Sequence, residues 1–584
     1  MPALVAVSAL SLTACGGGSS AGSKAASAAA SAQASVQNFL PGTAADSVGP
    51  APAIPGAVSG GTAHDIETAG FDYLDPRQQY VNNLQEVGQL YSRSLTGYKT
   101  DPTTGKVTLV GDLATDIGSS PDGGKTWTWH LKSGLKFQDG TPITSKDVKY
   151  AIESLYDDYQ TQGPTYIQTW LSGPNYRTVY KGPSSGQSLP DSVLSTPDDS
   201  TITMHFQSAH TDAPYAASMS NVTAIEQSKD DGQKYNTHPQ SIGPYMISSY
   251  QPGKQLVLVK NPMWDPKTDP IRHQYVDSWE FDLGIAQQLM TQRLMAGQGD
   301  DKNAVSMAVS ADQASIKSIV TDSQYANRTM NKFLPFVDVY DINMSRVTDL
   351  NVRKALETAF PVANVQKLNG GNETGEIAGN LVSPTVSGWK NTDPLGIKAN
   401  PAGDPTKAKA ILQAAGKLNY PIVYAYANTP TGQLVATAVS DALTQAGFNV
   451  QAKPLDSTSY YTEIGTAKNG FDLYRSGWAA DWPVASTVIP PTLDGRQIGD
   501  GSANYSHYNN PAMDSEMDRI GQITDINAQS AQWMQLADKI LSTDIPQIPV
   551  EDDKYFNVYG AGLGGVSYNQ VLGCIDLNGI FIKK

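Results

Sequence analysis

The sequence predicts an α/β protein with at least two packed lobes, and three observations support this prediction. The chain has 584 residues, which is too long for one ordinary hydrophobic core. Its composition, 40% hydrophobic and 17% charged residues, is typical of globular proteins. Between Asp404 and Trp478, segments typical of strands and helices alternate in the order βαβαβ, which predicts a parallel sheet.

The first clear strand and helix lie near residue 130. Residues 127–131 alternate large apolar with polar side chains, as a half-buried strand does. Apolar residues then recur at helical spacing over residues 148–155. Thr144, followed three residues later by Asp147, predicts a capped start for this helix.

The βαβαβ unit follows a helix that begins at Asp404-Pro405 and stops at Gly416, where the expected capping residues stand. The alternating segments are a strand at 421–427, a helix at 434–446, a strand at 448–453, a helix at 457–467 and a strand at 471–477.

The end of this last strand carries the candidate binding residues. In open parallel sheets, ligands bind in the crevice beyond the carboxyl ends of the strands. Arg475, Trp478 and Asp481 would bring a cation, an indole and a carboxylate to that crevice. The alternative is a surface loop whose charges are solvated and whose tryptophan covers the core, and the pattern alone leaves both interpretations open.

The N-terminus resembles a lipoprotein signal. Residues 2–14 are apolar but too few to span a bilayer, and they end Leu-Thr-Ala immediately before Cys15. This ending is similar to a bacterial lipobox, so we expect residues 1–15 to be a signal peptide. Cys15 would be acylated and anchor the protein to the outer face of the cell membrane. No Lys or Arg precedes Cys15, which leaves the start of the signal open; the alternative is a chance cysteine.

Residues 16–60 are rich in Ala, Gly, Ser and Pro and contain few large apolar side chains. Such a composition does not offset the entropy of ordering, so this segment is predicted to be a flexible tether. As a random coil it would reach roughly 35 to 40 Å.

Composition also excludes several classes of protein. The formal charge of −15 disfavours nucleic acid and anionic membrane surfaces as partners, because both would repel the protein. With Cys15 and Cys574 alone, the chain can build no disulfide framework or thiolate zinc site. The seven histidines form no recognisable ligand cluster. We therefore predict no metal and no cofactor.

Two motifs typical of enzymes occur in unsuitable contexts. Residues 182–186 match the G-x-S-x-G pattern of serine hydrolases, but Pro183 and its neighbours predict a loop, whereas a nucleophile elbow needs a strand leading into a helix. Residues 560–565 match a dinucleotide fingerprint, yet too few residues follow to complete a βαβ unit. We therefore predict a binding protein and not an enzyme.

Several segments occur in an order typical of one protein family. The most specific runs from Asp122 to Val148 and contains a strand, an F-x-D-G-T-P turn and a capped helix. The other segments are Leu74–Pro76, Gly243–Tyr245, Lys260–Pro262, Val352–Leu356 and Asp544–Pro549. Together they resemble family 5 of the bacterial extracellular solute-binding proteins, the peptide/nickel class, which includes the oligopeptide- and dipeptide-binding lipoproteins of ABC importers.

The resemblance implies a two-lobed, periplasmic-binding-protein-like fold of class II, cluster C type, with a hinge and a ligand cleft between the lobes. Lobe I would comprise residues 61–308 and 549–584, and lobe II residues 309–548. In oligopeptide-binding members, a G-W-x-x-D segment supplies an Asp that pairs with the ligand's α-ammonium, which corresponds to Asp481. The same segment supplies a Trp that lines the pocket, matching Trp478. Arg475 matches an Arg that meets a peptide carboxylate in some members.

The resemblance also implies a function. The chain would be a monomeric substrate-binding subunit that captures peptides by hinge closure and delivers them to a membrane permease. Two alternatives remain, because function depends on the site and not on the fold. In the first, the chain has the same fold but binds an oligosaccharide, an opine or a nickel complex, as other relatives do. In the second, it is an envelope scaffold or a signalling lipoprotein.

Overall fold

The computed structural model describes residues 40–584, so Cys15 and the first part of the predicted tether lie outside the described residues. The strands are β1 (Leu40–Pro41), β2 (Thr62–Ile66), β3 (Thr96–Thr100), β4 (Val107–Gly111), β5 (Thr126–His130), β6 (Leu194–Asp198), β7 (Thr201–His205), β8 (Tyr245–Gln251), β9 (Gln255–Lys260), β10 (Ser278–Asp282), β11 (Ala304–Val305), β12 (Thr329–Ile342), β13 (Gly375–Ile377), β14 (Pro421–Ala427), β15 (Asn449–Leu455), β16 (Leu473–Ala479), β17 (Gln547–Val558), β18 (Leu563–Gly564), β19 (Ser567–Asn569), β20 (Cys574–Asp576) and β21 (Phe581–Ile582).

The helices of the described residues are α1 (Asn82–Gly88), α2 (Ser145–Ser154), α3 (Tyr166–Ser172), α4 (Tyr176–Val179), α5 (Ala213–Ala216), α6 (Gln287–Ala296), α7 (Gln313–Thr321), α8 (Leu350–Ala359), α9 (Val362–Asn369), α10 (Pro405–Ala414), α11 (Pro430–Gln445), α12 (Tyr460–Ile464), α13 (Ile489–Leu493), α14 (Pro511–Gly521) and α15 (Ile526–Asp544). Within residues 40–584, no helix combines the length and apolar character needed to cross a bilayer.

Lobe I is built from several small sheets. A five-stranded sheet has the order β11-β2-β10-β9-β8, and two three-stranded sheets have the orders β1-β4-β3 and β5-β7-β6. Trp279 is fully buried in the core of the first, and Trp129 in the core beside the last. The predicted strand at 127–131 is confirmed as β5. The helix after it is confirmed as α2, whose start is capped because the Asp147 carboxylate accepts from the Thr144 N–H at 2.7 Å.

Lobe II is organised around one six-stranded sheet with the order β13-β17-β12-β16-β14-β15. β14 runs parallel to both β15 and β16, which confirms the parallel βαβαβ unit. The sheet as a whole is mixed, because β12 pairs antiparallel with both β16 and β17. α8 to α11 bury their apolar faces against one side of this sheet, and α15 packs on the other side.

Two long strands, β12 and β17, connect the lobes. On β12, Met330 packs in the core of lobe I, whereas Val337 packs in a core of lobe II. On β17, Val550 belongs to lobe II and Tyr555 to lobe I. The pairing of the two strands shifts register between Phe333 and Val337, so the regular ladder is interrupted where the chain passes between lobes.

The predicted lobe boundaries at 308 and 548 are both too early. β11 pairs with β2 of lobe I, and the buried residues Ile316 and Ile319 of α7 pack in the same cluster as Ile66 and Val558 of lobe I. The chain therefore stays in lobe I until β12 and returns along β17. Both crossings lie inside long strands whose pairing no local sequence signal encodes, which is why the sequence motifs placed the boundaries elsewhere.

The predicted tether is also too long at its C-terminal end. Leu40–Pro41 pairs with β4 as a third strand. The Gly111 N–H donates to the Ser47 hydroxyl at 2.9 Å, and the Lys99 ammonium donates to the Asp46 carbonyl at 2.5 Å. Residues 40–60 thus lie on lobe I through backbone hydrogen bonds, which a composition poor in large apolar residues does not reveal.

Candidate functional site

Strand β16 brings the predicted site residues to the boundary between the lobes. Arg475 and Trp478 lie on β16, and Asp481 lies just beyond its end. β16 pairs with β12 along its whole length, but with β14 only at Leu473 and Tyr474. The edge of β16 that faces away from β12 therefore has no strand partner over residues 475–479, although the Tyr460 hydroxyl donates to the Arg475 carbonyl at 2.8 Å.

The open edge presents backbone groups of Gly477 and Ala479. The Ala480 N–H donates to the Pro335 carbonyl of the chain segment that includes β12, at 2.9 Å. Because hydrogen-bonding residues alternate in an antiparallel pair, the N–H and C=O of Gly477 and Ala479 point to the opposite edge. Glycine is required at 477, since a Cβ there would overlap the ring of Phe336.

Arg475 forms a salt bridge with a carboxylate of the protein itself. Its Nε lies 2.7 Å from both carboxylate oxygens of Asp338, whose side chain is buried, while 49% of the Arg475 side chain is exposed. The Asp338 charge raises the pKa of Arg475. Burial raises the pKa of Asp338, and Arg475 opposes that rise. A role of Arg475 toward a ligand carboxylate stays a prediction.

Two more carboxylates lie beside this pair. One oxygen each of Asp338, Glu551 and Asp553 lies within 4.8 Å of the others, and this is the one group of metal-ligand type found among residues 40–584. Burial raises the pKa of Glu551 to about 7, and the charge of Asp338 adds to the rise. The positive charge of Arg475 offsets part of the negative charge of this group. The sequence did not predict it, because β17 follows β12 by two hundred residues of chain.

Trp478 is fixed by a hydrogen bond within lobe II. Its indole Nε1 donates to the Thr487 carbonyl at 2.7 Å, and the ring is partly buried against the core around α15. The rest of the indole lines a cavity between the lobes. The structure therefore places Trp478 at the cleft, and its contact with a ligand stays a prediction.

Asp481 is held by hydroxyl groups of the opposite lobe. Tyr80 and Tyr166 of lobe I both donate to the same carboxylate oxygen, Oδ2, with the Tyr80 hydroxyl at 3.2 Å. The Asp481 N–H donates to the Thr487 hydroxyl at 3.2 Å. No hydrogen bond to the other carboxylate oxygen occurs within the described chain. The sequence did not predict the two tyrosines, because nothing in the spacing of residues 80, 166 and 481 relates them.

The electrostatic environment of Asp481 is that of an acid without a cation. Burial raises the pKa of Asp481 to about 6, and the hydrogen bonds from Tyr166 and Tyr80 only partly oppose the rise. Burial and the Asp481 charge together raise the pKa of both phenols, so both stay protonated and act as donors. Within residues 40–584 no Lys, Arg or His forms an ion pair with Asp481. A cation placed here would therefore stabilise the carboxylate.

The residues after Asp481 insert into lobe I. Trp482 is 1% exposed and belongs to the core cluster of lobe I around β5 and α3, although it follows a strand of lobe II. Its ring centroid lies 4.6 Å from that of Tyr166 and 6.2 Å from that of Trp170. The Ser486 hydroxyl donates to Asp212 of lobe I at 2.9 Å. The lobes are therefore closed on one another around this segment.

The cleft contains two cavities of different size, and Asp481 lines only the smaller one. The smaller, about 40 Å³, is lined by Asp481 and by lobe I residues that include β3, which is the edge strand of its sheet. The larger, about 840 Å³, is lined by Tyr80, Tyr166, Trp478 and Trp482 among others. The cleft thus combines a partly buried acid, two strand edges and an aromatic wall.

Comparisons with known proteins identify relatives of this arrangement. The profile described as "Bacterial extracellular solute-binding proteins, family 5 Middle" matches residues 108–500. The chain is 25% identical over 532 residues to the probable D,D-dipeptide-binding periplasmic protein DdpA of Escherichia coli (strain K12), covering 88% of this chain and 91% of the relative. It is 24% identical over 556 residues to the periplasmic oligopeptide-binding protein OppA of Salmonella typhimurium (strain LT2), covering 90% and 96%.

A solved structure shows the same fold over nearly the whole chain. "Clavulanic acid biosynthesis oligopeptide binding protein 2" superposes with a TM-score of 0.83 at 27% identity, covering 93% of this chain and all of that protein. The predicted two-lobed binding-protein fold is confirmed, and so is the prediction of a binding protein and not an enzyme. The chain belongs to family 5 of the bacterial extracellular solute-binding proteins.

Proposed function

We propose that the chain captures peptides in the cleft between its lobes and delivers them to the permease of an ABC importer. The observation that carries this proposal is Asp481, a partly buried carboxylate at the lobe boundary that has hydrogen-bond donors but no cation in an ion pair with it among residues 40–584. A peptide's α-ammonium would supply the missing charge. In a closed cleft that excludes water, such a charge-assisted hydrogen bond is stronger than an exposed one.

The strand edges support a peptide as the ligand. Gly477 and Ala479 present unpaired N–H and C=O groups on β16, and β3 is the edge strand of its own sheet. An extended peptide adds to such edges through its main chain, which gives affinity without reading side chains. The relatives named above are described as dipeptide- and oligopeptide-binding proteins, which agrees with this choice of ligand.

Closure of the hinge would trap the peptide. Asp481, Trp482 and Ser486, from the segment after β16, contact lobe I. Thr211 of lobe I adds hydrogen bonds to Ile523 and Gln529 of lobe II. A ligand that contacts both lobes stabilises the closed state and so shifts an existing equilibrium. The register shift in β12 is the point at which the connecting strands could bend.

The proposal includes a lipid anchor at Cys15, which lies outside the described residues. It is supported by the apolar stretch that ends Leu-Thr-Ala before this cysteine. Acylation there would keep the protein beside its permease, and residues 16–39 would form the tether. The family itself is extracytoplasmic.

A thermal-shift experiment tests peptide capture at Asp481. We expect a tetrapeptide with a free amine to raise the melting temperature of the wild type, because selective binding to the native state stabilises it. The same peptide with an acetylated amine should give a much smaller shift. In Asp481→Asn the two peptides should give equal shifts, whereas Asp456→Asn, which removes an exposed carboxylate of lobe II, should behave as the wild type. Stabilisation by oligosaccharides and by no peptide would reject the proposal.

A further inference from the structure

A third cavity lies in lobe I, apart from the cleft. Its volume of about 320 Å³ is within the range of small-molecule pockets. It shares only Tyr98 with the smaller cavity of the cleft and no residue with the larger one. The residues that line it come from β3, from the hairpin of β19 and β20, from residues 51–54 and from the first part of β12. All of them belong to lobe I or to the segment before it, so a ligand there would not bridge the lobes.

One acid of this cavity lacks a cation partner. Asp576 lines the cavity at the end of β20 and forms no ion pair within residues 40–584. Burial raises its pKa, and its charge adds to the rise that brings the pKa of the buried Glu86 to about 8. Arg272 partly opposes both shifts, but its guanidinium is already paired with Asp112 at 2.8 Å. A cation bound at Asp576 would therefore relieve the repulsion between two neighbouring acids.

An amide oxygen next to this acid has no hydrogen-bond donor. Asn578 is 5% exposed and lines the same cavity. Its backbone N–H donates to Oδ1 of Asp576 at 2.9 Å, and its Nδ2 donates to Gln89 at 3.1 Å. Its Oδ1 accepts no hydrogen bond within the described chain, although buried acceptors are normally satisfied. A carboxylate and an amide oxygen two residues apart suit an ammonium group, which has three N–H donors.

The cavity also carries a lysine that is free to meet an anion. Lys332 on β12 is exposed and forms no ion pair within residues 40–584. Lys99 lines the cavity too, but its ammonium donates to the Asp46 carbonyl at 2.5 Å. The second acid of the wall, Asp101, accepts hydrogen bonds from residues 103–104 of its own turn. The groups left for a ligand are thus Asp576 and Asn578 for a cation and Lys332 for an anion.

The rest of the wall is largely apolar. Met330, which is 9% exposed, lines the cavity together with Ile54, Ile271, Val566 and Tyr98. Burial of apolar surface contributes about 25 cal/mol per Å², so an aliphatic group of the ligand would gain by contact with this wall. A ligand that matches the whole cavity is therefore small, carries both charges and has an aliphatic part.

We propose that this cavity is a second ligand site, separate from the peptide cleft, and that it takes a free aliphatic amino acid as its zwitterion. The ammonium would bind Asp576 and Oδ1 of Asn578, the carboxylate would bind Lys332, and the side chain would lie against the apolar wall around Met330. A neutral sugar would leave both charges of the cavity unpaired. The proposal does not depend on what the cleft binds.

Calorimetric titration of the full chain with L-leucine tests the site. We expect N-acetyl-L-leucine, which has no ammonium, and L-leucinamide, which has no carboxylate, each to bind about tenfold more weakly or worse, because each loses a charge-assisted hydrogen bond. Asp576→Asn should weaken L-leucine binding about tenfold or more, and Lys332→Gln about threefold or more. The matched controls Asp300→Asn and Lys317→Gln change exposed residues of lobe I and should bind L-leucine as the wild type does.

Asp481→Asn separates this site from the cleft. L-leucine should bind this variant with unchanged affinity, and a saturating free-amine tetrapeptide should not displace it from the wild type. Loss of L-leucine binding in Asp481→Asn, with retention in Asp576→Asn, would place the amino acid in the cleft and overturn the second site while leaving peptide capture intact.

The probes also decide the matter without the Asp576 variant, should that variant fail to fold. Equal affinity of the wild type for L-leucine, N-acetyl-L-leucine and L-leucinamide would overturn the assigned roles of Asp576 and Lys332. No binding of L-leucine by the wild type would overturn the second site, whatever the peptides do.

Discussion

Asp481 combines two roles at the level of a single residue. One carboxylate oxygen accepts from Tyr80 and Tyr166 across the lobe boundary, and the other has no partner among the described residues. Lobe contact and ligand recognition would therefore use different oxygens of the same group. Because burial is the largest cause of its raised pKa, the residue should respond to pH close to neutrality.

We predict that affinity for a free-amine peptide falls as the pH is lowered through about 6, the pKa of Asp481 in the ligand-free protein. The ammonium binds the ionised carboxylate, so below that pH binding must release a proton, and affinity drops up to about tenfold per pH unit. The pKa is raised by folding, so protonated Asp481 stabilises the native state at low pH and that contribution is lost as the pH rises through about 6.

Calorimetry at pH 5.0 in two buffers of different ionisation enthalpy measures this proton release. Asp481→Asn should bind weakly with no proton release at any pH. Proton uptake by the wild type, or affinity that is flat between pH 5 and 7, would contradict the assignment of Asp481.

Arg475 shows how far a residue can be predicted from sequence. The pattern placed Arg475 near the end of the last strand of the βαβαβ unit, and the structure places it on β16. Its partner Asp338 could not be predicted, because the register of β12 against β16 places it diagonally across from Arg475 and no local signal encodes that register. The same reason applies to Tyr80 and Tyr166, which reach Asp481 only through lobe closure.

At the level of elements, sequence periodicity was sufficient to predict the strands and helices whose structure depends on their local sequence. β14 occupies residues 421–427 as predicted, and the helix after it starts four residues early, at Pro430, where Thr429 caps it. α12 is only five residues long, shorter than predicted. Strand β12 is fourteen residues long and is buried in two different lobes, so its apolar and polar residues do not alternate regularly. The sequence therefore did not predict that this strand connects the lobes.

The segment after β16 inserts from lobe II into lobe I, and its Trp482 side chain is buried in the core of lobe I. We predict that Trp482→Ala weakens peptide binding by about 10- to 100-fold. Removing a core tryptophan costs about 3 to 5 kcal/mol of stability. Part of that cost lowers the free energy of unfolding of the protein and does not change its affinity for the peptide. Small-angle X-ray scattering of the ligand-free variant should also show a larger radius of gyration than the wild type, because the closed state loses this contact.

Trp389→Ala is the matched control for Trp482→Ala. Trp389 packs only against the core of lobe II, so its loss should lower stability without changing the radius of gyration or the peptide affinity. If both variants weaken binding equally, Trp482 acts through general stability, and the proposal that it stabilises the contact between the lobes is wrong.

At the level of the whole molecule, two lobes are joined by two paired strands and meet again at the segment after β16 and around Thr211, which is hydrogen-bonded to Ile523 and Gln529 of lobe II. The connection through β12 and β17 is narrow, and the contact through Asp481, Trp482 and Ser486 is local. Such a geometry allows rotation about the connecting strands without unfolding either core. The overall two-lobed fold was predictable through the family resemblance, whereas the crossing points were not.

The most direct test of the account is a crystal structure of residues 40–584 grown with a free-amine tetrapeptide. We predict electron density for an extended peptide between β16 and lobe I, with its α-ammonium within about 3 Å of the free oxygen of Asp481. Main-chain hydrogen bonds should join the peptide to Gly477 or Ala479. A peptide that binds in solution but lies outside this cleft, or that turns its carboxylate toward Asp481, would contradict the central claim.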